Sequence, residues 1–175
     1  MCSFMKSAVI YYSYSGNTKL VAEILTLYAS GKGAVQVVDL QALDESRSFF
    51  GQCKRAFWHK RAMLKPTKFD LSGYDVICFG TPVWAFGPAP AMNAYLDQCS
   101  GVTGKKVILF TTYGSGTGNQ RCLNFMQAIL AKKGAQDFSR FSIQQFKVKD
   151  KEFILSEIMR LPFADPPAKG HGASI

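Results

Sequence analysis

Apolar runs and segments with helical spacing of apolar residues alternate five times between residues 7 and 160. "SAVIYY" (7–12) predicts a buried strand, after which Leu20, Val21, Ile24, Leu25 and Tyr28 fall on one face of a helix ending near Gly31 or Gly33. "AVQVVDL" (34–40) predicts a second strand. "YDVICFG" (74–80) predicts a third, followed by a helix from about Pro88 with Met92, Tyr95, Leu96 and Cys99 on one side. "KKVILFTT" (105–112) predicts a fourth, and the next helix carries Leu123, Met126, Ile129 and Leu130 inward, with Lys132 and Lys133 in its last turn and Gly134 as its stop. A mixed strand region (135–148) and a helix near 151–160 close the pattern.

This alternation predicts an α/β fold, a doubly wound five-stranded parallel sheet with helices on both faces. Right-handed crossovers place the C-terminal end of every strand on one edge of the sheet. The loops at that edge are 13–18, 41–46, 81–88 and 112–119. Residues 41–68 are too long for a plain connection, so "SRSFFGQCKRAFWHKRAML" predicts a helical insertion between strands two and three. One domain is expected over 1–160, and "LPFADPPAKGHGASI" (161–175) reads as a flexible tail.

Composition supports a packed domain: of 175 residues, 47% are hydrophobic and 14 are Phe. Lys and Arg number 21 against 12 Asp and Glu, a net charge of +9. Arg47, Lys54, Arg55, Lys60, Arg61, Lys65 and Lys68 supply much of the excess, with no acidic residue between Arg47 and Lys68. Such a run can draw an acidic partner, although a solvated basic face is the plainer reading, and neither nucleic acid nor membrane is expected as a partner. Residues 76–92 are uncharged, but their glycines and prolines make a poor membrane span. "MCSFMK" lacks a basic region followed by an apolar run, so no signal peptide is expected. The five cysteines are odd in number and contain no CxxC pair, which predicts reduced thiols in a cytoplasmic protein and no metal site.

The chemistry concentrates in "YYSYSGNT" (11–18). A strand feeding a helix leaves free N–H groups and the positive end of the helix dipole, which together attract an anion. Ser13, Ser15, Asn17 and Thr18 add polar groups, and Gly16 allows close backbone approach. The loop has no G-x-x-x-x-G-K-[ST] and therefore lacks the lysine of a nucleotide hydrolase. No Cys-x5-Arg pattern and no carboxylate after strands one or three offer a group that a phosphate would react with. A phosphate held by neutral hydroxyls is a handle. Over-decorated capping of the helix is the structural alternative.

Two further edge loops suggest what hangs from that handle. "GTPVWAFGPAP" (80–90) places Trp84 beyond the third strand; taken alone, it reads first as core and second as a stacking platform. "TTYGSGTGN" (111–119) brings Tyr113 and three glycines whose spacing is not that of G-x-G-x-x-G. Together the three motifs resemble the flavodoxin-like family over roughly residues 6–160. That resemblance implies strand order 2-1-3-4-5, with FMN at the switch between strands one and three, the arrangement for which flavodoxin is itself the standard example. It implies that Ser13, Tyr14, Ser15, Gly16, Asn17 and Thr18 bind the FMN phosphate. Thr81, Pro82, Val83, Trp84 and Ala85 would meet one side of the isoalloxazine, with Trp84 stacking. Thr112, Tyr113, Gly114, Ser115, Gly116, Thr117, Gly118 and Asn119 would close the other.

A flavin does the redox chemistry while the protein positions and tunes it, so no catalytic nucleophile or base is expected. His59 and His171, in the insertion and the tail, are not candidates. The resemblance implies an electron-transferring flavoprotein acting on a redox partner protein or small acceptor. The alternative is an NAD(P)H-dependent, FMN-containing reductase of quinones or other small acceptors. Two differences stand out: electron-carrying flavodoxins are usually acidic, and many carry glycine after the stacking Trp, where this chain has Ala85.

Overall fold

The computed structural model describes residues 5–43, 62–114 and 116–163. The helix expected in the insertion falls largely on 44–61 and lies outside the described residues, as do Ser115, both histidines and the tail from 164. From the N-terminus run β1 (Met5–Tyr11), α1 (Asn17–Ser30), β2 (Gly33–Asp39), β3 (Val76–Trp84), the two-residue β4 (Gly87–Pro88) and α2 (Pro90–Gln98). β5 (Lys106–Tyr113), α3 (Asn119–Lys132), β6 (Asp137–Gln144) and α4 (Lys151–Met159) follow.

The strands line up β2-β1-β3-β5-β6, all parallel, with β4 antiparallel to the end of β3. Counting the parallel strands alone, this is the expected order 2-1-3-4-5. β1 shows why the layers form. Val9 and Tyr11 enter one core while Ala8 and Ile10 enter the other, so its apolar run needs a helical layer on each side. α1 and α4 cover the first face through Val21, Leu25, Ile154 and Ile158. α2 and α3 cover the second through Met92, Tyr95, Leu96, Leu123, Met126 and Leu130. Each such side chain, fully buried, contributes roughly 1.5–3 kcal/mol.

Three details differ from the sequence pattern. β3 does not stop at Gly80: Thr81 and Pro82 go on pairing with Thr111 and Thr112, and Val83 and Trp84 then pair with β4. α2 starts at Pro90, where a first-turn proline needs no N–H partner. α1 turns Ala22 and Ala29 to the sheet and leaves Leu20 38% exposed, because small residues let the helix lie close. At the C-terminus, Phe163 is buried edge-on to Tyr28, and the Lys106 ammonium donates to the Pro162 carbonyl at 2.7 Å. Within the expected tail, Phe163 is thus buried and Leu161 packs half-buried against the same core. Among the described residues no helix is long and apolar enough to cross a membrane, and no cluster of three or more His, Cys, Asp or Glu is placed to hold a metal.

Candidate functional site

The turn after β1 ends in Gly16, whose φ of 87° is left-handed and whose missing Cβ would face open space. Gly16 provides no side-chain cap for α1, and the first turn holds no acidic residue. The Lys19 N–H donates to Ser13 Oγ at 3.2 Å. The amides of Asn17 and Thr18 find no acceptor among the described residues. Ser15 is exposed beside them, and Tyr14 is 42% exposed. Thr18 behaves differently from its neighbours: its hydroxyl is buried against that of Thr112, 2.8 Å away. Its contribution to the open turn is therefore its amide, while its side chain ties α1 to the end of β5.

The end of β3 supplies the second wall. Thr81 is buried, its Oγ1 accepting the Ala89 N–H at 3.0 Å and donating to the Pro82 carbonyl at 3.2 Å. Pro82 and Val83 are half-buried. Trp84 is 5% exposed, with Tyr12 and Tyr14 edge-on at 5.7 and 5.6 Å between ring centroids. Burial puts Trp84 in the core beneath the turn, and Tyr14 and Phe86 present more ring surface at this edge. Ala85 and Phe86 form the turn between β3 and β4 with φ of 46° and 66°. Two consecutive positive φ values are the mark of a tight two-residue hairpin, a place usually given to Asn-Gly. Ala85 and Phe86 carry none of the glycine or asparagine that marks such a turn, so the sequence alone does not single out Phe86.

The third wall follows β5. Thr112 is buried, Tyr113 half-buried, and the Gly114 carbonyl accepts from Gln144 Nε2 at 3.1 Å. Gly116 and Thr117 are exposed, and Asn119 opens α3 behind Gly118, which has φ of 91°. A Cβ on Gly118 would lie 2.6 Å from Phe86 Cδ1 and 3.2 Å from Phe86 Cα, so the second and third walls touch there.

The site is neutral and rich in donors. None of its three loops carries a carboxylate. Burial pushes the Cys99 thiol up to about 11 and raises Cys78 and Cys122 further, which leaves all three as protonated core residues. Tyr11, below the turn, is pushed up to about 12 by burial and by Asp39. Two open helix amides beside Ser15 fit a phosphate.

A family model described as NADPH-dependent FMN reductase matches residues 5–147, spanning all three loops. The chain belongs to the NADPH-dependent FMN reductase family. FMN, expected from the sequence, is the flavin for which this family is named. Solved structures support the fold. A flavoprotein in complex with FMN from Lactobacillus acidophilus shares 20% identity at a TM-score of 0.62, over 85% of this chain and 99% of that one. Flavodoxin 2 from Bacillus cereus shares 17% at 0.56, over 89% and 99%. An NADH:FMN oxidoreductase in its apo form shares 16% at 0.57, over 91% of each.

Proposed function

We propose that this protein is an NAD(P)H-dependent, FMN-containing reductase of quinones or other small acceptors. The family match across all three loops supports this reading over a dedicated electron carrier. The net charge of +9 also suits a phosphorylated dinucleotide better than the basic partners of acidic carriers.

In the balanced reaction, NAD(P)H loses a hydride and becomes NAD(P)+. A quinone gains that hydride and one proton from solvent, whereas two equivalents of a one-electron acceptor take one electron each and the proton is released. Bound FMN supplies the redox chemistry between the two substrates. The chain's part is positioning. The amides of Asn17 and Thr18, with Ser15 and Ser13, hold the phosphate. Thr81 to Ala85 and Thr112 to Asn119 flank the ring and shape its approach. The protonated thiols take no part.

Two measurements test the reading. Purified protein should show paired flavin absorption bands, or its apoprotein should quench FMN fluorescence saturably. The holoprotein should then oxidise NADPH steadily when a quinone is present. FMN binding without such turnover would return the protein to the carrier class, and a colourless protein indifferent to FMN would remove both readings.

A further inference from the structure

Phe86 combines two features that are hard to reconcile with a purely structural role. Its φ of 66° is left-handed, a conformation strongly disfavoured for a bulky residue. Phe86 is nevertheless 50% exposed, so packing on Gly118 accounts for only part of its surface. Ala85 before it, at φ 46°, shares the strain. Asn-Gly would make the same turn more easily.

The surroundings hold the turn in place from several sides. Val83 pairs with Pro88 and Trp84 with Gly87 across the hairpin. The Thr81 hydroxyl accepts the Ala89 N–H, and Asn93 Nδ2 donates to the Pro88 carbonyl at 3.2 Å. Gly118, lacking a Cβ, lets the third wall close directly on Phe86. A disfavoured backbone fixed this firmly, at a candidate site, is an outlier from which a role can be inferred.

We propose that Phe86 is a specificity-determining residue for the electron acceptor, resting on the reductase reading above. Its fixed, half-exposed ring, where the two ring-flanking walls meet, offers a flat apolar surface to a planar conjugated acceptor. A compact inorganic acceptor gains nothing from such a surface. The strain persists because a ring is wanted at that point, and the hairpin fixes the backbone that carries it.

The test uses FMN-loaded protein with NADPH and two acceptors, a naphthoquinone and ferricyanide. Phe86→Gly should raise the quinone KM about fivefold to tenfold, the lower part of the range for aromatic stacking because the ring is half solvated. The ferricyanide KM should stay within twofold, and any rise in the FMN dissociation constant should stay well below the rise in the quinone KM. Phe86→Tyr, which keeps the ring, should restore the quinone KM. Without ligand, Phe86→Gly should melt about 2–4 °C higher, since glycine relieves the left-handed backbone.

A quinone KM unchanged in Phe86→Gly, or an equal rise for ferricyanide, would overturn the assignment. A lower melting temperature would also overturn it, by showing that the ring holds the fold together. An FMN dissociation constant that moves as much as the quinone KM would reassign Phe86 to the flavin. Unaltered holoprotein that binds FMN yet reduces neither acceptor would instead overturn the reductase reading, and the acceptor role with it.

Discussion

α1 and α4 pack against each other on the same face of the sheet, and both begin at the edge where the strands end. Their first turns are built in opposite ways. At α4, Asp150 accepts the Phe153 N–H at 3.0 Å, and Glu152 adds a second carboxylate to the first turn. That helix start supplies its own negative charge. At α1 the N-cap is a left-handed glycine, the first turn has no acid, and the amides of Asn17 and Thr18 point to no described acceptor. Hydroxyls crowd the α1 turn, yet Ser13 reaches Lys19 and Thr18 turns inward to Thr112. An end that one aspartate could have closed keeps its first amides open, which is what the proposed phosphate site requires. The comparison teaches that the informative feature is the missing carboxylate rather than the abundance of hydroxyls.

Giving α1 the charge of α4 should have the largest effect. Asn17→Asp would set a carboxylate against the phosphate; a unit-charge pair about 4 Å apart interacts with ~4 kcal/mol near a protein surface. FMN affinity should fall by on the order of 100- to 1000-fold, while riboflavin, without the phosphate, changes little. The ligand-free protein should gain about 0.3–1 kcal/mol from the helix dipole. Parallel fluorescence titrations with the two flavins, plus melting of the apoprotein, read both signs. Equal losses for FMN and riboflavin would remove the phosphate from this turn.

Ser15→Ala is the milder version. Losing one hydrogen bond to a charged group costs about 1.5 kcal/mol, roughly tenfold in FMN affinity, again with riboflavin spared. The same titrations apply. If FMN binding is unaffected, the amides of Asn17 and Thr18 hold the phosphate without the Ser15 hydroxyl.

The layers of the sheet were legible because hydrophobic period changes from strand to helix five times, whereas the strand order followed from the resemblance of the three edge loops to the flavodoxin-like family. The polar turn after β1 was legible as a place, but not the direction of each hydroxyl: only the approach of β5 decides that Thr18 faces Thr112. Trp84 shows the same limit. A tryptophan beyond a strand suits either core or ligand, and its packing against Tyr12 and Tyr14, from the neighbouring strand's turn, emerges only in the folded chain. The end of β3 was hidden because Pro82, Gly87 and Pro88 look like loop punctuation, whereas here they sit in or beside a hairpin. Phe86 was missed because left-handed turns announce themselves through glycine and asparagine, and this one uses neither.

The smallest expected effect is the control on the closed helix. Asp150→Ala removes the side chain that satisfies the Phe153 amide. Loss of an N-cap costs about 1 kcal/mol, or about 2–4 °C of melting temperature for a chain of this size. FMN affinity should not change, because α4's first turn is complete within itself and offers the ligand no open amide. The measurement pairs a melt with an FMN titration. If affinity fell along with stability, the two helix starts would be coupled through the packing of α4 on α1, and the open amides of α1 would owe their position to their neighbour. Stability falling alone would show that the two ends of adjacent helices, alike in fold and placement, have been assigned separate tasks: one to hold the domain together, the other to hold its cofactor.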